Sequence, residues 1–392
     1  GAEVIRRQDV VDIVAGCDGI LPLSPAWVAR NWISSGRRLG LSEAEYEVGA
    51  RGEICERWLA STTEAANEVS EPHEGLSQVT VGPEPVLLAD VMKAAPEVVM
   101  GVEYATGHDG LGRLAKIFDY GERVPMHVHP PSQAAAQVGL TSKDEAYYYL
   151  PGADLGPHPE SFFGAHAGLS AEEASAELLR HLELWQEETV LGLSKAYRQF
   201  SEGGYYVPSG VIHAPGTALT FELQEDSDAM AFLQAQCGQI ALDRDLLLGR
   251  LDQKRVAEEG DRAVLDWIDW DLNLLADFHS SHHLQPRVIS TEGGVEVAWI
   301  LFGSGLFSAK RYRAAPGSTF VLDEPGPYSV FVWTGEADLG GRNLRGGAPG
   351  SDEALVTFDR AGRGVEVEVR GSDELEMIVY FGPDLQPAAP VL

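Results

Sequence analysis

The sequence predicts a mainly β protein made of two β barrels or sandwiches, with helical segments added to them. Apolar runs of strand length, separated by Gly, Pro and Asp, recur between residues 79 and 250 and again after Pro286. Helical periodicity interrupts these runs at about residues 170–200, and it separates the two β regions at residues 251–285. With 392 residues, the chain is long enough for two such domains.

Residues 1–78 are predicted to form a mostly helical segment packed on the first β domain. One helix is expected over residues 23–36, because a Ser-Pro pair supplies an N-cap and a first-turn proline. A second is expected over residues 42–60, which begin with a Ser-x-x-Glu capping box. The polar residues 61–75 predict a loop.

The first β domain is predicted over residues 79–250, with a helical insertion at 170–200. The insertion begins with a capping box of Ser170 and Glu173, followed by leucines at helical spacing. Strand composition is found in VTVGPEPVLL, VVMGVEYA, RLAKIF, VPMHVH and AYYYL before it, and in GGYYVPSGVIH, ALTFELQ and AMAFLQAQ after it.

The second β domain is predicted over residues 286–392, after a helical bridge at 251–285. The bridge has apolar residues at helical spacing between about residues 252 and 278. The following hundred residues contain seven strand-like runs: VEVAWILF, LFSAKRYR, STFVLD, YSVFVWTG, ALVTFD, GVEVEVR and LEMIVYFG.

Composition restricts the partners and the compartment. The 60 Asp and Glu against 29 Lys and Arg give a formal net charge of −31, which makes nucleic acid and membrane surfaces poor partners. Cys17, Cys55 and Cys237 are far apart and form no CxxC pair, so we expect free thiols in a reducing compartment. The N-terminal residues lack the continuous apolar stretch of a signal peptide. A cytoplasmic location is therefore expected.

Histidines on strands indicate the chemistry. His127 and His129 lie in VPMHVHP, where strand alternation directs both imidazoles to the same face. Glu145 begins a run of aromatic residues that predicts a buried strand, and a buried carboxylate favours a cation beside it. His213 follows a tight Pro-x-Gly turn. Together the four predict a mononuclear metal site with open positions. The alternative for the histidine pair is two exposed polar residues on an edge strand.

This arrangement resembles a known family. HxH, then Glu, then P-x-G-x-x-H is the metal-binding pattern of the cupin superfamily, and the wider context resembles its type I phosphomannose isomerases. The similar segments keep the family order over about residues 50–235. They are CERW at 55–58, HVHP at 127–130, KDEAYY at 143–148, the Gly and Glu pattern at 164–173, PSGVIHA at 208–214 and ELQEDSD at 222–228.

The resemblance implies a bicupin fold and a set of site residues. Its metal ligands correspond to His127, His129, Glu145 and His213, with His127 standing where the family has glutamine. It implies one divalent ion, zinc first, with manganese, iron or nickel as alternatives. The active-site lysine corresponds to Lys143. The second cupin, residues 286–392, is expected to be metal-free, since the chain has no histidine after His283.

Two further residues matter for catalysis and substrate. Glu56 in CERW is a pocket candidate by resemblance, and the alternative is a glutamate on a helix surface. Phe232 and Gly238 stand where the family has arginines, and a phosphate needs such cations. An unphosphorylated substrate is therefore expected, unless Arg113 or Arg244 takes over that role.

The sequence thus predicts a metal-dependent aldose–ketose isomerase of a sugar or sugar derivative, similar to mannose-6-phosphate isomerase. Lys143 and Glu56 are expected near the reacting oxygens, and the residue that moves the proton stays open. One alternative is a cupin oxygenase with Fe(II) at the same site. The other is a sugar-binding cupin without catalytic activity. The expected partner is a small-molecule carbohydrate.

Overall fold

The computed structural model describes residues 4–392 as a mainly β protein with several antiparallel sheets. The strands before residue 286 are β1 (Ile20–Pro22), β2 (Ala26–Arg30), β3 (Glu53–Leu59), β4 (Gln78–Val79), β5 (Val86–Leu87), β6 (Leu114–Phe118), β7 (His127–Val128), β8 (Glu145–Tyr149), β9 (Glu160–Phe163), β10 (Lys195–Arg198), β11 (Gly204–Val207), β12 (His213–Ala214), β13 (Thr220–Gln224), β14 (Ala231–Phe232), β15 (Gln236–Cys237), β16 (Ile240–Ala241) and β17 (His283–Leu284).

The later strands are β18 (Arg287–Glu292), β19 (Val295–Leu301), β20 (Ser308–Ala314), β21 (Thr319–Leu322), β22 (Tyr328–Thr334), β23 (Glu336–Leu339), β24 (Arg342–Arg345), β25 (Glu353–Val356), β26 (Val365–Arg370) and β27 (Leu375–Phe381).

The α-helices are α1 (Arg7–Gly16), α2 (Leu88–Ala94), α3 (Pro96–Met100), α4 (Val102–Gly107), α5 (Ser132–Gln137), α6 (Ala171–Leu184), α7 (Asp245–Leu248), α8 (Gln253–Glu259), α9 (Trp270–Asn273), α10 (Phe278–His282) and α11 (Phe358–Gly362). Short 3-10 helices cover Glu43–Glu45, Gly49–Arg51, Thr189–Leu193 and Gly260–Trp267.

The first β region is a sandwich of two facing sheets. Its seven-stranded sheet has the order β17-β11-β8-β13-β6-β3-β2, and its five-stranded sheet has the order β10-β9-β12-β7-β14. Aromatic side chains fill the space between them, as in the contact of Phe163 on β9 with Tyr205 on β11, whose ring centroids are 4.6 Å apart. The outer face of the five-stranded sheet is covered by α6 and by helical residues 245–268.

The second β region packs on the opposite face of the seven-stranded sheet. Its own seven-stranded sheet, β1-β25-β22-β27-β20-β19-β18, faces a four-stranded sheet, β21-β26-β23-β24, across a core of aliphatic side chains. Between the two regions, Phe221 on β13 lies 5.5 Å from Tyr380 on β27 by ring centroids. None of the sheets in residues 4–392 closes on itself, so both regions are sandwiches rather than barrels.

Both helices predicted in the N-terminal segment are wrong. Residues 26–30 and 53–59 are instead β2 and β3, which pair antiparallel with Val28 opposite Glu56. The capping box of Ser42 and Glu45 does form, but it caps only a three-residue 3-10 helix. Sheet pairing buries nearly every residue of β2 and β3, and this tertiary gain outweighs a weak local helix signal.

Other elements follow the predictions more closely. The insertion begins as predicted, with Ser170 and Glu173 capping α6, but its end forms β10 on the sheet edge. The bridge consists of short helices rather than one long one, and the strand expected in VVMGVEYA is wrong because these residues form α3 and α4. The predicted loop at residues 61–75 and the seven predicted C-terminal strands are confirmed.

The three cysteines are free and buried. No helix within residues 4–392 has the length and apolar character needed to cross a bilayer.

Candidate active site

Four buried side chains meet between the two sheets of the first β region. His127 on β7 lies directly opposite His213 on β12, and Glu145 begins β8 on the other sheet. The ligand atoms of these three residues and of His129 all lie within 4.8 Å of one another. The structure therefore brings together all four residues predicted as metal ligands, and the alternative of an exposed histidine pair is wrong because both histidines are buried.

The turn before His213 is fixed from two sides. Gly210 adopts φ of 87°, as the Pro-x-Gly turn requires, and its backbone N–H donates to the His129 carbonyl at 2.9 Å. Asn273 is fully buried; it donates to the Gly210 carbonyl at 2.7 Å and accepts from the Ile212 N–H at 2.9 Å. The bridge helices thus position His213, one of the four candidate metal ligands.

Backbone carbonyls set the orientation of all three imidazoles. The Nδ1 atoms of His127, His129 and His213 lie 2.7, 2.7 and 2.8 Å from the carbonyls of Pro125, Ala229 and Val211. A proton on each Nδ1 leaves the Nε2 lone pair for a ligand. The Nε2 atoms of His129 and His213 lie 3.2 and 2.7 Å from the carboxylate oxygens of Glu145, so these ligand-type atoms are close enough to share one cation. Three imidazoles and one carboxylate suit a divalent transition metal.

The charges of the cluster also suit a cation. Burial, and then His213 and His129, hold the pKa of His127 well below its ordinary value. Burial and Lys143 lower the pKa of His129 to about 4. For Glu145, burial raises the pKa, but Lys143 and the two neighbouring histidines outweigh it and keep the group ionised. Near neutral pH, His127 and His129 are thus neutral imidazoles and Glu145 is a carboxylate, the protonation states that bind metals.

A row of polar side chains continues from Glu145 across the seven-stranded sheet. Glu222 on β13 lies opposite both Tyr147 on β8 and Lys116 on β6. Glu56 on β3 belongs to the same face, whereas the alternate residues of these strands pack into the core against the second β region. Sequence reasoning gave Lys116 and Glu222 no role. The signal was the alternation in LAKIF and TFELQ, which places Lys116 of the first strand and Thr220, Glu222 and Gln224 of the second on a single face.

At the end of this row, Arg30 joins two carboxylates in a buried ion cluster. Its Nε lies 2.6 Å from Glu56 Oε2, and its Nη2 lies 3.1 Å from Asp228 Oδ1. Lys116 Nζ lies 3.4 Å from Glu56 Oε1. Glu56 is 1% exposed, so the alternative of a helix-surface glutamate is wrong. Burial raises its pKa, but Arg30 and Lys116 outweigh this and lower it far below the ordinary value.

Lys143 and Glu222 border the metal-ligand cluster. Lys143 Nζ lies 3.4 Å from Glu145 Oε2. Burial lowers its pKa, but Glu145 and Glu222 raise it by more, so the side chain is an ammonium. The pKa of Glu222 lies well above its ordinary value, because the group is buried and faces the Glu145 carboxylate. No arginine contacts either residue within the described chain.

Two neighbouring cavities, which share lining residues, lie beside the cluster. A narrow inner one of about 30 Å³ is lined by His127, Lys143, Glu145 and Glu222. Arg30, Trp32 and Met230 line both this inner cavity and a wider outer one of about 480 Å³, a size typical of small-molecule sites.

Phe232 forms part of the wall of the outer cavity. It lies opposite His127 in the sheet, and its ring is 4.8 Å from that of Trp32. Arg113 and Arg244 line neither cavity, because Arg113 binds the Ala60 carbonyl and Ser329 while Arg244 binds the Leu182 carbonyl and Asp261. The structure therefore gives neither arginine the role of a phosphate ligand.

Solved structures share this architecture over nearly the whole chain. The mannose 6-phosphate isomerase from Bacillus subtilis is similar with a TM-score of 0.64 and 19% identity, over 92% of this chain and 99% of that one. A putative mannosephosphate isomerase from Archaeoglobus fulgidus gives 0.61 and 14%, over 93% and 97%. A zinc-bound mannose 6-phosphate isomerase gives 0.64 and 13%, over 93% and 100%. The chain has the fold of the phosphomannose isomerases. No protein-family model matches the sequence, and no curated protein matches it.

Proposed function

We propose that this protein is a metal-dependent aldose–ketose isomerase of a sugar or sugar derivative. The observation that carries the proposal is the quartet His127, His129, Glu145 and His213, two members of which line a small cavity that adjoins one of small-molecule size. The phosphomannose isomerase fold, one example of which is zinc-bound, supports it. Zinc is the first choice of metal, with manganese, iron or nickel as alternatives. A divalent ion held there would polarise the carbonyl and adjacent hydroxyl oxygens of a sugar.

The side chains around the quartet fit the remaining tasks of an isomerase. The reaction moves one proton between C1 and C2 and develops negative charge on the two oxygens. The ammonium groups of Lys143 and Lys116 line the inner cavity and are suited to stabilise that charge. Glu222 lines the same cavity without an arginine partner, and we assign it the proton transfer. Glu56 is bound by Arg30 and Lys116, so we assign it a positioning role.

The test is metal analysis followed by isotope exchange. The purified protein is expected to hold about one divalent ion per chain. A panel of aldoses in D₂O is expected to give ketose that carries deuterium at C1, with deuterium at C2 of the aldose that the reverse step returns. Glu222→Gln should retain the metal and lose the exchange, and Glu56→Gln should retain part of it. Iron together with sugar-dependent oxygen consumption would favour the oxygenase, and sugar binding without exchange would favour a non-catalytic protein.

The second β region is proposed as a metal-free cupin-like domain, which completes a bicupin. Its two facing sheets and the absence of histidine from residues 286–392 support this assignment. Residues 79–250 are then the metal-binding cupin, residues 251–285 the bridge, and residues 1–78 a segment that contributes strands to both regions. A metal content of two ions per chain, one of them kept in a His213→Ala variant, would contradict this division.

A further inference from the structure

The charges of the outer cavity indicate which sugars it accepts. Exposed carboxylates of Glu68, Asp243 and Asp245 line it, together with the buried carboxylate of Asp228. The basic side chains that line it are Arg30 and Arg250. A substrate whose reacting end lies at the metal quartet must place its far end among these groups.

Arg30 has no donor left for a substrate anion. Its Nε and Nη2 bind Glu56 at 2.6 and 3.3 Å, and its Nη1 binds Asn67 Oδ1 at 2.7 Å. Both Nη atoms also bind Asp228, at 3.1 to 3.3 Å. Two carboxylates already neutralise this guanidinium, so its net effect on a phosphate is repulsive or absent. Arg250 remains the single exposed cation against three exposed carboxylates.

The rest of the wall suits an uncharged sugar. Trp32, Met230, Phe232 and Leu246 offer apolar surface to the C–H faces of a sugar ring or chain. Asn31 offers an amide to its hydroxyls. A phosphate carries about 1.5 to 2 negative charges at neutral pH and is bound in proteins by clustered cations, which this cavity lacks.

We propose that the outer cavity is a subsite for an unphosphorylated sugar and that its acidic lining rejects sugar phosphates. The inference rests on the proposed isomerase function, because that function places the carbonyl end of the sugar at the quartet. The residues that determine this specificity are Glu68, Asp243 and Asp245. In each case the carboxylate acts by repelling the anionic end of a phosphorylated sugar.

Calorimetric binding to the metal-loaded protein tests the proposal, with mannitol and mannitol 1-phosphate as open-chain probes. Mannitol is expected to bind at least about tenfold more tightly than its phosphate. Neutralising the lining with Glu68→Gln, Asp243→Asn and Asp245→Asn together should strengthen the binding of mannitol 1-phosphate relative to that of mannitol. Phe232→Arg should strengthen it by about tenfold or more, since it adds a cation beside the cavity. Glu366→Gln, an exposed glutamate on β26, is the matched control.

Two results would overturn the proposal, and they are distinguishable from each other. Tighter binding of mannitol 1-phosphate that is lost in Arg250→Ala would show that Arg250 holds a phosphate. If isotope exchange is then seen with phosphorylated aldoses and not with unphosphorylated ones, the subsite proposal is wrong and the isomerase function is still supported. Binding of neither probe, together with no exchange on any aldose, would overturn both the subsite and the proposed function.

Discussion

At the scale of single residues, the site depends on side chains whose lone pair or charge is held in place by specific neighbours. His127, His129 and His213 each have one nitrogen held by a backbone carbonyl, so the other is committed to the centre of the cluster. Arg30 is also held by its neighbours, because its positive charge is neutralised by the carboxylates of Glu56 and Asp228. Replacing one of these histidines should therefore change the metal content, and replacing Arg30 should change the stability.

The first prediction concerns the metal. Replacing His129 or His213 with Ala should reduce the bound metal from about one ion per chain to less than about a tenth, because a three-ligand remnant binds far more weakly. His166→Ala, an exposed histidine on the same domain, should keep the full content. Elemental analysis of the purified variants measures this. Full metal content in both ligand variants would show that these histidines are not ligands.

The second prediction concerns the buried ion cluster. Arg30→Ala should lower the free energy of unfolding by about 3–5 kcal/mol, because it leaves Glu56 and Asp228 buried without their main partner. Arg255→Ala breaks surface pairs with Glu259 and Asp266 and should cost much less, because water screens such pairs. Urea unfolding of the two variants makes the comparison. Equal losses would mean that the Arg30 cluster is not a stabilising unit.

At the scale of elements, the strand β3 links the two β regions through its opposite faces. Glu56 faces the cavity, whereas Arg57 binds Glu353 of β25 at 2.8 Å on the other side. Glu353 also accepts from the Ala60 N–H at 3.0 Å. Burial raises the pKa of Glu353 to about 7, although Arg57 lowers it. This interface therefore carries a carboxyl group that binds a proton more tightly in the folded protein than in the unfolded chain.

The third prediction follows from that carboxyl group. A folded-state pKa raised from 4.5 to about 7 gives a contribution to stability that is complete below pH 4.5 and is lost as pH rises through about 7. Glu353→Gln should remove this loss, and the unfolding free energies of wild type and variant should diverge by about 2–3 kcal/mol between pH 5 and 8. Chemical unfolding across that range measures it. Parallel pH curves for the two proteins would contradict the assignment.

At the scale of the whole molecule, the dominant property is its charge. The net charge of −31 is distributed over a surface of 15928 Å², so like charges repel one another throughout the folded state. Screening by salt reduces that repulsion, and its range falls from about 30 Å at 0.01 M to about 10 Å at 0.1 M ionic strength.

The fourth prediction is a stability that rises with salt. Raising sodium chloride from about 0.01 M to about 0.3 M should increase the Tm, because screening stabilises a strongly charged compact chain. Potassium chloride at equal ionic strength should give the same increase, since the effect is electrostatic. Calorimetry of the metal-loaded protein provides the measurement. A Tm that falls with either salt would show that specific ion pairs outweigh the net repulsion.

The sequence by itself determined the four candidate metal ligands and the general architecture. His127 and His129 are two residues apart in a run with strand alternation, and the motifs around Glu145 and His213 fix their neighbours locally, so short-range patterns were sufficient. The strands after residue 286 were predictable for the same reason, because period-two alternation and turn residues are local signals.

Only the tertiary structure decided the composition of the polar row and the cavity. Arg30 lies on a strand that the local pattern predicted as helix, and its partner Asp228 is 198 residues away. Whether Lys116 and Glu222 face the site or the interface depends on the register of β6, β8 and β13. Strand pairing and burial over such separations are set by the packing of the whole sandwich, which no local window of the sequence contains.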